Sequence, residues 1–247
     1  MPNNLIIAMW SGPRNLSTAL MRSFANRKDV TNVIDEPFYA SYLKLTGKDH
    51  PMKKEVIQSQ SSNIDDVKKL CNKIHEGITY QKHMTQHILD KDYEWINSLN
   101  NCFLIRHPQM VVKSFMKSWK DGEFEDIGFQ QQYDIYNHVK NYIDENPLII
   151  DSSRLRENPK KILSKFCSQI GIDEDKRMYK WKPGIASYDG VWASHWYKSV
   201  IDSDSFTPEI KKDITLTDDE KRIVDMAMPI YEAVSYTHLT LPTMMSV

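Results

Sequence analysis

Five short apolar runs recur along the chain, each bounded by turn residues, and helix-compatible stretches lie between them. The runs are Leu5–Met9, Thr31–Asp35, Ile78–Gln81, Asn101–Arg106 and Pro147–Asp151, as expected of strands buried on both faces. The first helix is expected at Ser17–Arg27, where Leu20, Phe24 and the Met21/Ala25 pair fall at helical spacing. Further helices are expected at Phe38–Leu45, from an Asn63 or Asp65 cap to His75, at Asp92–Leu99, and from Pro108 to Lys120. Gly128–Asp144 carries another helical pattern, and Asn158–Gly171 has proline at its start and glycine at its end. Thr217–Tyr231 opens with Thr217 and Glu220 in a capping-box pattern. Gly47–Ser62, with Pro51 inside, reads as a surface loop, and Trp181–Ser205 has no clear period. Such alternation predicts an α/β fold of three layers, a central parallel β-sheet flanked by helices. Ligands of such sheets bind beyond the C-terminal strand ends, where Ser11–Thr18, Glu36, Lys82, His83 and Arg106 collect.

Charge and cysteine usage narrow the function classes. A formal net charge of -1 gives no basis for nucleic-acid binding, which calls for a basic excess. Cys71, Cys102 and Cys167 are odd in number and form no C-x-x-C, so neither a disulfide framework nor a cysteine zinc site is expected. Leu5–Trp10 is too short for a signal-peptide core, and no apolar stretch nears the roughly 20 residues needed to span a bilayer. A cytoplasmic protein with no membrane association is expected. The sequence says nothing of oligomeric state.

The first apolar run ends in S-G-P-R-N-L-S-T, residues 11–18. A strand that turns into a helix through small polar residues offers backbone N–H groups to a phosphate. Against the pattern G-x-x-x-x-G-K-[ST], Gly12 fits the first glycine, but Ser17, Thr18 and Ala19 replace the second glycine, the lysine and the magnesium hydroxyl. A kinase or ATPase of that type would lack its phosphate lysine and metal ligand. What remains is a loop of one arginine and two hydroxyls that suits a dianion without a metal.

This loop resembles the 5′-phosphosulfate loop of sulfotransferases, commonly P-[KR]-S-G-T-[ST], with Arg14 as the basic residue and Ser17 and Thr18 as the hydroxyls. Asn15 and Leu16 stand where the family has Ser and Gly. L-I-R-H-P-Q-M-V-V-K-S-F is similar to the family's 3′-phosphate motif, an arginine at a strand end and a serine eight residues on, here Arg106 and Ser114. I-I-D-S-S-R-L-R-E-N-P-K-K-I-L resembles the segment after the last sheet strand. The resemblance spans about residues 4–172 and implies one sulfotransferase-like domain over residues 1–233. It also implies 3′-phosphoadenosine 5′-phosphosulfate as donor, held by Ser11, Gly12, Pro13, Arg14, Asn15, Leu16, Ser17, Thr18, Arg106 and Ser114.

The resemblance further implies sulfuryl transfer to a hydroxyl or amine of a small acceptor. Glu36 is the expected base and His83 its rival, with Lys82 or Arg14 stabilising the leaving group. His83 and His87 are four apart but lack a third ligand, so a hydrogen-bonded pair is expected, and no metal. Trp192, His195 and Trp196 lie where the family closes a loop over its substrates, without the basic R-K-G pattern there; acceptor lining, adenine stacking and plain core packing all remain open. Alternative readings are a non-catalytic nucleotide-binding or regulatory domain and an atypical phosphotransferase. Residues 234–247 contain V-S-Y-T-H-L-T-L-P-T, the translation of a sequencing adaptor, and are expected to be a non-native tail.

Overall fold

A computed structural model describes residues 4–209 and 214–239. All five expected strands form: β1 (Leu5–Ser11), β2 (Val30–Asp35), β3 (Ile78–Met84), β4 (Asn100–Ile105) and β5 (Leu148–Asp151). They make one sheet in the order β2-β3-β1-β4-β5, every pair parallel. The register sets Met9 of β1 beside Lys82 of β3 and Cys102 of β4, and Asp35 of β2 beside Lys82. The strand ends are therefore level. The chain passes from β3 to β4 on opposite sides of β1, so the crevice of this sheet opens above β1, where the polar loop begins.

The helices are α1 (Ser17–Ala25), α2 (Tyr39–Thr46), α3 (Lys53–Ser59), α4 (Ile64–Cys71), α5 (Pro108–Met116), α6 (Phe129–Tyr142), α7 (Ser152–Glu157), α8 (Pro159–Gln169), α9 (Ala193–Trp196), α10 (Lys198–Ile201) and α11 (Asp218–Leu239). Strand alternation divides the core between the two faces of the sheet. Leu5, Ile7 and Met9 pack with Leu20 and Phe24 of α1, Leu43 of α2 and Leu163 of α8. Ile6, Ala8 and Trp10 pack with Val67 of α4 and Ile135 and Val139 of α6. Each fully buried side chain of this kind contributes about 1.5–3 kcal/mol. Both capping-box bonds of α11 form: Thr217 N–H to Glu220, and Glu220 N–H to Thr217 Oγ1. All three cysteines are free and buried. Among the described residues no helix is long and apolar enough to cross a membrane.

Four expectations change. The 47–62 loop contains α3, whose single buried residue, Val56, docks it on the core. Asp92–Leu99 gives only a 3₁₀ turn at Glu94–Ile96. There Asp92 accepts from the Glu94 N–H, and Asp90 from the Asp92 N–H, local bonds that compete with the helical ladder. The six-residue α7 was not expected; Asp151 caps it by accepting from Arg154 N–H at 2.9 Å. Finally, α11 continues past Tyr231 to Leu239, with Val234 buried in the second cluster. Residues 240–247 of the expected tail lie outside the described residues.

Candidate functional site

The loop after β1 adopts a conformation that its sequence does not favour. Arg14 and Leu16 both have positive φ, 64° and 73°, where a β-carbon costs about 1–2 kcal/mol. Leu16 is the residue before α1 and no side chain caps that helix. Its first-turn N–H groups are thus left for an anion, at the positive end of the helix dipole. Asn15 is buried and its Nδ2 donates to the Gly12 carbonyl at 3.1 Å, which fixes the turn. Gly12 is required by close approach: a β-carbon there would lie 2.4 Å from the Ile127 carbonyl oxygen. We expect Gly12→Ala to destabilise the fold by about 1–3 kcal/mol through a displaced loop; urea unfolding checks this, and an unchanged midpoint refutes the contact.

Two arginines border the loop. Arg14 Nε donates to Ser114 Oγ of α5 at 3.1 Å, and its NH2 to Ser118 Oγ at 3.3 Å. Arg106, just past β4, donates through NH1 to the Arg14 carbonyl at 2.9 Å and pairs with Glu209. Burial, and next the positive charge of Arg106, lower the pKa of Arg14. No carboxylate pairs with Arg14 among the described ion pairs, so its charge is available to an anion. Ser114 therefore supports Arg14 directly and not Arg106.

Beside the loop is a buried ionic cluster. Lys82 Nζ reaches Asp35 Oδ1 at 3.0 Å, Glu36 Oε1 at 2.5 Å and Tyr197 Oη at 2.6 Å. Tyr197 Oη lies 2.8 Å from Asp35 Oδ2 and 3.0 Å from Glu36 Oε1, and accepts from Trp192 Nε1 at 2.8 Å. The Gly190 N–H donates to Asp35 Oδ2 at 3.1 Å. Glu36 itself sits at φ 44°, pinned by its N–H to the Lys82 carbonyl at 2.9 Å and by Gln60 Nε2 to its carbonyl at 3.1 Å. Burial raises the pKa of Glu36, aided by Asp35 and opposed by Lys82. Burial works against the Lys82 charge, but Asp35 and Glu36 outweigh it and raise its pKa. Glu36 Oε1 is thus occupied, while Oε2 lies 4.0 Å from His87 Nδ1.

These groups share a cavity of about 390 Å³. Pro13, Arg14, Leu16, Ser17, Thr18, Glu36, Lys82, Arg106 and Ser114 all line it. Ser11, Gly12 and Asn15 lie beneath the lining and shape the loop from behind. His83 does not join them. Ile78, Tyr80 and Lys82 point to one face of β3, so His83 points to the other. It stacks on Trp10 at 4.2 Å, takes Gln81 Oε1 at 2.9 Å, and burial pushes its pKa down to about 3. His87 instead stacks on Tyr39 at 4.5 Å, so the two histidines form no pair. Of the aromatic stretch, Trp196 lines the cavity, Trp192 is buried against Tyr197, and His195 is exposed.

A parallel sheet with an uncapped, phosphate-type loop after its central strand is matched by a family model. That model, described as a sulfotransferase domain, covers residues 5–237. The chain belongs to the sulfotransferase family. Solved structures agree on the sulfotransferase fold. A mouse sulfotransferase complexed with PAP matches at TM-score 0.54 and 13% identity, covering 95% of this chain and 87% of that one. The sulfotransferase domain of the curacin biosynthetic pathway matches at TM-score 0.52 and 15% identity, covering 91% and 97%. Two curated Arabidopsis thaliana relatives, branched-chain-amino-acid aminotransferase-like proteins 1 and 2, are 34% and 31% identical over 229 residues, 92% of this chain. The chain spans about two fifths of their length, 41% and 40%.

Several residues that build this cavity carry little signal in the sequence. Asp35 was visible as the neighbour of Glu36 in V-I-D-E-P-F, and the doubled carboxylate at a strand end was the available signal. Tyr197 and Arg156 carried none: they join the cavity from segments 115 and 50 residues away from Lys82 and Arg106. His50 lines the cavity as a neutral ring, its pKa pushed down to about 4 by burial and by Lys48 and Lys53.

Proposed function

We propose that the chain transfers a sulfuryl group from 3′-phosphoadenosine 5′-phosphosulfate to a hydroxyl or amine of a small acceptor. One observation carries this reading: a buried carboxylate of raised pKa opens into the same cavity as Arg14, which has no carboxylate partner among the described residues, and an uncapped helix start. The 5′ phosphate end of the donor would rest on the α1 N–H groups, Arg14, Ser17 and Thr18. Glu36 Oε2 accepts the acceptor's proton as the acceptor oxygen or nitrogen bonds to sulfur. The bond from sulfur to the phosphate oxygen breaks in line, and adenosine 3′,5′-bisphosphate leaves with the electron pair. Arg14 is placed to meet the charge that develops on that oxygen. Lys82 is held between two carboxylates, and its role in this reading is to fix Glu36 Oε1 so that Oε2 faces the acceptor. His87 bounds the acceptor side as a neutral ring, since burial holds its pKa well below the usual value.

The loop offers neither the phosphate lysine nor the metal hydroxyl of nucleotide hydrolases, which favours a sulfuryl over a phosphoryl donor. Calorimetric titration with adenosine 3′,5′-bisphosphate, in chelator and then with magnesium, tests the reading. Micromolar binding that needs no metal is the expected result, with Arg106→Ala weakening it about ten- to a hundredfold. Binding that appears only with magnesium would favour a phosphotransferase. Tight binding with no sulfation of any acceptor would favour a non-catalytic nucleotide-binding domain. The aminotransferase-like name belongs to relatives of whose length this chain spans about two fifths.

A further inference from the structure

Two buried polar atoms on the cavity wall have nothing to bond. Of the buried side-chain atoms without a hydrogen-bond partner among the described residues, His87 Nδ1 and Gln86 Oε1 belong to residues that line the cavity. Those residues are only 5% and 8% exposed. A buried polar atom left unpaired is costly, so one on a cavity wall marks what an occupant must bring. An amide oxygen only accepts, so Gln86 Oε1 calls for a donor.

His87 Nδ1 calls for a donor too. Glu36 Oε2 lies 4.0 Å from it. A ring N–H facing a carboxylate would close to a charge-assisted bond of about 2.7–2.9 Å. The wider gap assigns the ring proton to Nε2 and leaves a bare lone pair on Nδ1. Both sides of the gap are held. The His87 ring stacks on Tyr39 at 4.5 Å and meets Tyr42 at 4.8 Å. It ends a 3₁₀ turn, Thr85–His87, that Thr85 Oγ1 anchors by donating to the Gly128 carbonyl at 2.8 Å. Glu36 Oε1 is taken by Lys82 and Tyr197. Burial, with His50 and Lys82 adding to it, holds the His87 pKa well below the usual value, so Nδ1 stays unprotonated.

An atom about 2.8–3.0 Å from both Oε2 and Nδ1 would see them about 85–90° apart, within the bend that two N–H bonds of one nitrogen tolerate. A primary amine gives one N–H to Glu36 Oε2 and the other to His87 Nδ1, and keeps its lone pair for sulfur. A hydroxyl has one hydrogen. Given to Glu36, it leaves His87 Nδ1 against an oxygen lone pair. We infer that the acceptor is a primary amine, and that His87 selects it over the corresponding alcohol. This rests on the sulfuryl-transfer reading given above. The amine nitrogen bonds to sulfur as the bond from sulfur to the phosphate oxygen breaks, and the nucleotide leaves with the electron pair. One proton passes to Glu36; the other N–H stays on the sulfamate and keeps its bond to His87. Tyr39, Tyr42, Trp119 and Trp196 line the cavity around this point, which suits an apolar body on the amine.

Aniline and phenol form the test pair, since they match in shape and are both uncharged near neutral pH. With 3′-phosphoadenosine 5′-phosphosulfate and the full chain, kcat/KM for aniline should exceed that for phenol about ten- to a hundredfold. The two nucleophiles differ in intrinsic reactivity, so the ratio is compared between variants. His87→Leu should shrink it at least tenfold, chiefly by slowing aniline. His87→Asn, whose side-chain oxygen can stand in for Nδ1, should keep most of it. A structural role alone would slow both acceptors alike. Preference of wild type for phenol overturns the inference, as does an unchanged ratio in folded His87→Leu. Sulfation of neither acceptor removes the sulfuryl-transfer reading instead, and calorimetry in saturating adenosine 3′,5′-bisphosphate then decides the subsite. Tighter binding of aniline than of phenol, lost in His87→Leu, supports an amine site, and equal binding refutes it.

Discussion

Glu36→Gln is expected to lower turnover by about a hundred- to ten-thousandfold, the range for a positioned general base, while bisphosphate affinity stays within about twofold. The amide keeps the shape and the contact with Lys82 but cannot take a proton. Turnover of wild type should also fall as pH drops through the pKa of Glu36, because the base acts only when ionised. Burial and Asp35 raise that pKa against the pull of Lys82, so the acid limb lies above the ordinary carboxylate range. The charged and titratable groups facing Glu36 are Asp35, Lys82, Tyr197, Tyr39 and His87, and none of the latter four changes charge in that window: Lys82, Tyr197 and Tyr39 are raised, and His87 is well lowered. A glutamine variant with near-normal turnover, or an acid limb at the usual carboxylate value, would remove Glu36 from the chemistry. Persistence of activity in His83→Gln is expected as well, since that ring faces the other side of the sheet.

The larger effect on stability should come from Lys82→Met. The lysine side chain is 1% exposed, and among the described residues it is the cation that offsets both Asp35 and Glu36, at 2% and 9%. Removing one member of such a buried set costs about 3–5 kcal/mol, because the remaining charges stay buried without a partner. The sign with pH follows. Without the ammonium, burial holds the Glu36 proton still more tightly folded than unfolded, so the deficit grows as pH rises and shrinks toward acid. Urea unfolding at pH 5 and pH 8 measures both quantities. The triple change Lys82→Met, Asp35→Asn, Glu36→Gln should recover most of the loss, since a neutral set has no unpaired charge. A single variant within about 1 kcal/mol of wild type at pH 8 would contradict the geometry. This cluster also explains why Tyr197 is buried: its hydroxyl bridges both carboxylates and the lysine, and so ties the segment after Gly184 to the ends of β2 and β3.

How much was legible depended on the range of the forces involved. Strand positions were readable because burial on both faces of a parallel sheet demands apolar runs, and runs are local. Asp92–Leu99 was misread because its aspartates bond locally to the backbone, which period alone does not register. Helix α7 is not legible because its six residues, five polar and one buried leucine, carry no period at all. In the loop, leucine fills position 16, a glycine's place in the family, yet the backbone takes φ 73° there. The surrounding contacts outweigh the local preference: Asn15 bonds Gly12, Arg106 bonds the Arg14 carbonyl, and Leu16 itself packs against the core.

Sequence alone determined the layered parallel sheet, the place of the phosphate-type loop after its first strand, and the cluster of polar residues at the strand ends. Those follow from hydrophobic periodicity and turn chemistry, which act over a few residues. Tertiary structure alone decided that Lys82 faces the cavity and His83 does not, that Ser114 supports Arg14, and that Tyr197 and Arg156 belong to the site. It alone set Glu209 between two arginines. Those outcomes depend on charges and side chains brought together across 50 to more than 100 residues of chain, where burial makes each unpaired charge costly and so fixes which partners must meet.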